Sequence, residues 1–431
     1  MATLTLPKTL NYAEQLPALP QAQSWTQTIN PTNASFTTTN GIIYFDLPSR
    51  GFIDPTSIYL KYTQNYTVGA TATNIRACPL YTPIQRLETI IGSQVVESIN
   101  QYNLIAGHLI MNTQYDIGMK FGNQALFGYN DSTTSNPATN KFDGRTLQIN
   151  TTNKLPVAGN LVGSLLTSCE KLLPVFAMPS IRIQLTMDSL ANILTSTTGV
   201  SEPTGGYFTN FELCFSVIDF GPEIENMVMN MGPKLYIKSE SFANSSTNLA
   251  SGSSGNISLV YNQRLASIKS AYIMFCGTNS AYGVNGIFDS FDPSKGSGDI
   301  NLQCGGVSYP QRPISFLNNK VGIIQELRRA VGSIYDRTNQ MSISSYEFFK
   351  YEDGSTVTTA DDPSKVIIGV SLEKLNTKGA LLTGISSQNS PITINLNTNN
   401  ATNQLYNVYL ALNYDAILEI DLMNKQVSIK Q

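Results

Sequence analysis

Apolar and polar residues alternate with a period of two in well-separated stretches of the chain. Ile181, Ile183, Leu185 and Met187 interleave with Arg182, Gln184 and Thr186. Phe211, Leu213, Phe215 and Val217 interleave with Glu212, Cys214 and Ser216, and Val366, Ile368, Val370 and Leu372 with Gly369, Ser371 and Glu373. Near the end Leu418, Ile420 and Leu422 alternate with Glu419 and Asp421. Successive side chains of a strand point to opposite faces, so these runs predict half-buried antiparallel strands. Helical spacing occurs at Leu104, His108, Met111 and Tyr115, and again at Leu317, Val321, Ile324, Leu327 and Val331. The second run stops at Gly332 and carries Arg328 and Arg329 in its last turns, where cations suit the helix dipole.

The pattern repeats. Pro179–Leu185 (PSIRIQL) is similar to Ser390–Leu396 (SPITINL), Ser57–Leu60 (SIYL) to Ser270–Ile273 (SAYI), and helix residue Leu104 aligns with Phe316. The three matches share one order and nearly one spacing, which predicts two similar halves of about 200 residues each. The breaker pairs Gly221-Pro222 and Gly232-Pro233 bracket a Met-rich stretch and mark the seam. The expected layout is an N-terminal arm over 1–41, a first β unit over 42–221, a linker over 222–233 and a second β unit over 234–431. The arm holds Pro7, Pro17, Pro20, Pro31 and the sole tryptophan, Trp25. Long polar segments over 131–143, 195–206, 244–256, 289–299 and 352–363 read as loops inserted between strands, a length that is uncommon unless it has a use.

Composition adds a physical constraint. Of 431 residues only 13% are charged, against about 25% in ordinary soluble domains. Apolar residues are 41%, enough for substantial cores, and the polar remainder is spread along the whole chain, which argues against disorder. A surface rich in hydroxyls and amides forms protein–protein contacts at low desolvation cost, so self-assembly is expected. Net charge is −3, and Lys8 is the only basic side chain before Arg50, so no phosphate-gripping arm is present and direct nucleic-acid binding is not expected. The first residues lack the long apolar run of a signal peptide or a membrane span. Five scattered cysteines without a C-x-x-C pair fit reduced thiols.

No constellation for catalysis stands out. The single histidine, His108, excludes multi-histidine metal sites and sits on the apolar stripe of the first helix, where a core imidazole is expected. No G-K dipeptide exists for a phosphate-binding loop. Glu223 with Glu225, and Asp361 with Asp362, offer paired carboxylates, but beside Pro222 and Pro363 they read as solvated loop charge. Asp289, Asp292 and Asp299 do not match calcium-loop spacing. Arg328 and Arg329 cap a helix, and the other local basic cluster, Lys425 with Lys430, lacks interleaved aromatics. Catalytic, cofactor-binding and metal-ligating residues are therefore all expected to be none.

Several segments together resemble a double jelly-roll major capsid protein of the large DNA virus, virophage and Polinton-like virus group. They are Phe45–Asp54 (FDLPSRGFID) leading to the strand at Ile58–Tyr62, and Leu173–Pro179 (LPVFAMP) leading to Ile181–Met187. In the second half they are Gln311–Phe316 (QRPISF), the helix end Glu326–Gly332 (ELRRAVG), and Tyr406–Asp421. The resemblance spans nearly the whole chain with loose motifs. It implies an all-β fold of two consecutive eight-stranded antiparallel jelly rolls, each with a short helix and long loop insertions. It further implies a non-enzymatic shell subunit of the virion, made in the host cytoplasm, that forms homotrimeric, pseudo-hexameric capsomers tiling an icosahedral capsid. Partners would be other copies, penton and minor capsid proteins, and an internal membrane. A receptor- or glycan-binding β-sandwich such as a spike or adhesin is the alternative, and a carbohydrate-active enzyme a third reading.

Overall fold

The computed structural model describes residues 22–33, 41–67, 75–77, 80–113, 147–149, 153–189, 195–196, 205–250, 252–277, 298–315, 320–332, 366–374, 382–399 and 406–431. The first half comprises β1 (Gln23–Ile29), β2 (Ile42–Asp46), β3 (Phe52–Ile53), β4 (Tyr59–Thr67), β5 (Ile75–Ala77), β6 (Ile84–Ile91) and β7 (Gln94–Asn100). Then follow helix α1 (Tyr102–Thr113), β8 (Leu147–Ile149), β9 (Asn153–Asn160), β10 (Leu173–Pro174), β11 (Ile181–Met187), β12 (Thr195–Ser196) and β13 (Gly205–Asp219). After helix α2 (Pro222–Met229) the second half runs through β14 (Lys234–Leu249), β15 (Ser254–Tyr261), β16 (Ile268–Gly277), β17 (Asp299–Cys304) and β18 (Val307–Ser315). Helix α3 (Lys320–Ala330), β19 (Ile368–Ser371), β20 (Ile392–Asn399), β21 (Tyr406–Asp421) and β22 (Gln426–Lys430) complete it.

The strand orders of the halves coincide. In the first, β1-β13-β4-β9 forms one antiparallel sheet, with β3 also on β13 and β10 on β3, and β2-β11-β6-β7 forms the other. In the second the orders are β14-β21-β16-β19, with β22 on β21, and β15-β20-β17-β18. Each half is thus an eight-stranded, two-sheet jelly roll, and its helix follows the seventh or eighteenth strand at the same point of the winding. The strands β12, β5 and β8 make a separate small sheet.

Alternation explains the elements. In β11 Ile181, Ile183, Leu185 and Met187 are buried while Arg182 is exposed. Arg182 forks onto Asp46 of β2 at 2.6 and 3.0 Å and lies 5.1 Å over the Tyr44 ring, a cross-strand cluster on the wet face. Buried phenols donate to main-chain carbonyls: Tyr62 to Leu80, Tyr81 to Asn160 and Tyr102 to Val162. Helix α3 ends at Gly332 (φ +78°) and lies close over Gly369, where a Cβ would meet Leu327 at 2.7 Å, and its Ala330 carbonyl accepts from the Tyr272 hydroxyl at 3.0 Å.

Three expectations are corrected. The arm drawn over 1–41 is shorter, because Gln23–Ile29 hydrogen-bonds along β13 and is the opening strand of the first jelly roll. Residues 244–256 are not one long loop: β14 runs to Leu249 and β15 begins at Ser254, since main-chain pairing with 406–411 is indifferent to polar side chains. The seam holds a third helix, α2, with Pro222 at its start and Glu223 and Glu225 in its first turn; none of its residues is buried, so it leaves no apolar stripe. The polar segments over 131–143 and 352–363 lie outside the described residues, as do 289–297.

Candidate functional site

The residues weighed for chemistry are dispersed and mostly committed to structure. His108 lies on α1 with 0% of its surface exposed. Beside it in sequence Asn103 donates to Asp188 Oδ2 (2.8 Å) and to the Thr82 carbonyl (3.2 Å), while its own Oδ1 accepts from Leu104 N, fixing the start of the helix. Glu223 and Glu225 occupy the first turn of α2, and Arg329 pairs with Glu326 at 3.0 Å. Lys430 and Lys234 both reach Glu419, and these ammonium groups hold its carboxyl below the ordinary range. Asp299 opens β17; Asp289, Asp292, Asp361 and Asp362 lie outside the described residues. Among the described residues no cluster of His, Cys, Asp and Glu is arranged to hold a metal, and Cys169, Cys214, Cys276 and Cys304 are buried.

Polar groups converge instead at the junction between the two jelly rolls. Strand β14 of the second packs beside β7 of the first. The buried carboxylate of Glu97 on β7 accepts from Leu165 N (2.7 Å), Thr89 Oγ1 (2.8 Å), Ser164 Oγ (3.2 Å) and, from the other half, Ser241 Oγ (2.5 Å). Burial pushes this carboxyl up from its ordinary range, and the four hydrogen bonds pull against that rise. Ser239 Oγ donates to the Leu165 carbonyl, Glu170 N to the Lys238 carbonyl at 3.1 Å, and Asn244 Nδ2 to the Asn100 carbonyl at 3.0 Å. Lys238 Nζ lies between Glu170 of the first half (3.8 Å) and the wholly buried Asp415 of the second (3.5 Å).

Backbone geometry closes the junction. Gly163 has φ +70°, and a Cβ there would sit 2.3 Å from the Phe242 ring of β14. Only glycine combines that left-handed conformation with so close an aromatic approach. Nothing in the residues themselves marks this cluster, because Glu97, Ser239 and Ser241 are ordinary polar letters whose partners across the junction are far away in the chain. The arrangement joins the two jelly rolls through buried side-chain and main-chain hydrogen bonds.

Among the described residues β1 and β18 are two of the exposed sheet edges. β1 is exposed along most of its length, with Trp25 at 41%. β18 is likewise exposed over Gln311, Arg312 and Pro313, and Val307 at its start is 52% exposed.

No protein-family model matches the chain, and no curated protein matches it by sequence. Solved structures do. The Faustovirus major capsid protein superposes with TM-score 0.61 at 10% identity, covering 96% of this chain and 92% of that one. The mavirus major capsid protein gives 0.55 at 9% identity over 100% and 95%. A PBCV-1 virus capsid structure gives 0.57 at 11% identity over 97% and 99%. All three likenesses run the length of both jelly rolls, and at such identities they establish the fold: the chain is a double jelly roll.

Proposed function

We propose that the chain is the major capsid protein of a double-stranded DNA virus, a structural subunit without catalytic activity whose home is the virion. The observation that carries this reading is the tandem: two jelly rolls of one strand order, joined edge to edge through Glu97, Ser239, Ser241 and Gly163. Three such chains supply six similar wedges, and a head-to-tail contact that closes on itself makes a ring with hexagonal outline from a threefold assembly. Capsomers of that shape tile an icosahedral shell. The low charge of the chain, 13%, suits surfaces that are covered by further copies.

In this reading the residues before Ala22 form an arm that reaches neighbouring capsomers, minor capsid proteins or an internal membrane, and penton proteins close the vertices. The scarcity of basic residues there supports a shell that does not grip the genome directly. Light scattering after size exclusion, with negative-stain microscopy of the same peak, tests the proposal. Trimers of hexagonal outline are expected; a chain that stays monomeric at micromolar concentration would refute it.

A further inference from the structure

The repeat assigns corresponding positions in the two halves, and they are treated differently. Tyr59 of β4 and Tyr272 of β16 correspond through the SIYL and SAYI segments. Tyr59 pairs with Cys214 and Tyr272 with Ala411; Cys214 pairs with Thr28 and Ala411 with Asn244. Following both registers back along the strands places Gln23 on Ser239, Trp25 on Ser241 and Gln27 on Ala243. A second, independent register starts from Ile181 and Ile392. These pair with Ile91 and Cys304, which close the two-residue turns opposite Gln94 and Val307. Two residues earlier Thr89 faces Glu97 and Leu302 faces Tyr309, so Tyr309 of β18 occupies the place of Glu97.

Within the chain, Ser241 of β14 meets Glu97 of β7 and both are buried. Their counterparts, Trp25 of β1 and Tyr309 of β18, belong to strands whose main contacts among the described residues lie within their own half. Trp25 lies opposite Val217, which is buried, so its indole projects from the inward side of the sheet at an edge where the sandwich stays open. A large aromatic there exposes apolar surface that an isolated edge strand gains nothing by displaying.

We infer that the β1 edge, centred on Trp25 with Gln23 and Gln27, docks on the β18 edge around Tyr309 and Gln311 of a second copy, repeating between chains the β14-on-β7 contact made within the chain. This rests on the shell-subunit reading and names its contact. The contact is heterologous: one copy offers β1 and receives on β18, so each copy engages two neighbours, and a three-chain ring is the closed form this contact takes in the shell-subunit reading. Central, desolvated tryptophans are the side chains that most often dominate such contacts.

Two variants of the full chain that each add one cysteine, Gln27→Cys and Gln311→Cys, test it with a short bis-maleimide, the parent with its five native cysteines giving the background. Cross-linked dimers are expected only when the two are mixed, and the double variant is expected to give species ending at three chains. Trp25, the sole tryptophan, reports in parallel. Its acrylamide quenching in the assembled oligomer should fall well below that of the diluted monomer, and Trp25→Ala should weaken association about 30-fold, equivalent to about 2 kcal/mol. An oligomer in which Trp25 stays as quenchable as in the monomer, or in which Gln27→Cys cross-links to itself, overturns this contact and leaves the shell reading standing. Absence of any oligomer overturns both.

Discussion

β14 and β1 hold the same place in two copies of one architecture, yet one is buried and polar while the other is exposed and carries a tryptophan. β14 meets the first jelly roll through Ser239, Ser241 and the main chain of Lys238, and its aromatic Phe242 fits against a glycine. β1 offers Gln23, Trp25 and Gln27 at the corresponding positions. Tethering accounts for the difference. A contact between halves of one chain forms at the high effective concentration set by a short linker, so modest hydrogen bonds suffice and orientation is what must be specified. A contact between separate chains has to offset lost translational and rotational freedom, and large apolar side chains do that best.

The tethered side of this comparison breaks most severely at Gly163. Gly163→Ala places a methyl group 2.3 Å from the Phe242 ring at a φ of +70°. Left-handed strain and overpacking together should destabilise the chain by about 2–5 kcal/mol, read as a lowered urea midpoint. Phe242→Leu should recover part of that loss in the double variant, because it removes the clash and leaves the strain. A Gly163→Ala chain as stable as the parent would mean that the halves are not held at this point.

Glu97 comes next. Glu97→Leu strips Leu165 N and three hydroxyls of their acceptor, and the fixed amide alone should cost about 1–3 kcal/mol. Glu97→Gln keeps the shape and an acceptor oxygen. The parent carboxyl is raised by burial above the unfolded-state value of 4.5, so between those two values the folded chain binds the proton that the unfolded chain has lost. Its contribution is full below pH 4.5 and declines as pH rises through the folded value. Glu97→Gln should flatten that decline. Glu419 works in the opposite direction: its lysine partners lower its value, so what it contributes is present at neutral pH and is lost on acidification through the folded value. Urea midpoints from about pH 2 to 8 on the parent, Glu97→Gln and Glu419→Gln separate the two slopes.

Much of the fold was readable because burial writes itself into alternation. β11 follows the period of two faithfully, β21 keeps one apolar phase from Val408 to Ile420, and α3 announces its end with Arg328, Arg329 and Gly332. The elements that escaped share one property: they bury little of their own. β1 has only Trp25 and Ile29 among seven residues, and α2 buries nothing, although Pro222, Glu223 and Glu225 spell a helix start. The stretch Asn244–Leu249 is polar enough to pass for a loop and is held by main-chain bonds to β21. The junction was illegible for another reason. A buried Glu97 differs from a surface glutamate only in having donors from Leu165 and Ser241 around it, and those lie far along the chain.

The mildest change probes how far the tethered contact extends. Asn244 Nδ2 donates to the Asn100 carbonyl at 3.0 Å in an exposed setting, beyond the buried serines. Asn244→Ala should lower stability by about 0.5–1 kcal/mol, since water can replace the lost donor at an exposed carbonyl. Its counterpart on β1 is Thr28, whose hydroxyl lies 3.4 Å from Cys214 Sγ inside its own sheet and makes no contact of this kind. If Asn244→Ala proved as damaging as Glu97→Leu, the hold between the halves would be a long polar zipper along β14 rather than a short buried clasp, and the contrast with the tryptophan-centred β1 edge would weaken accordingly.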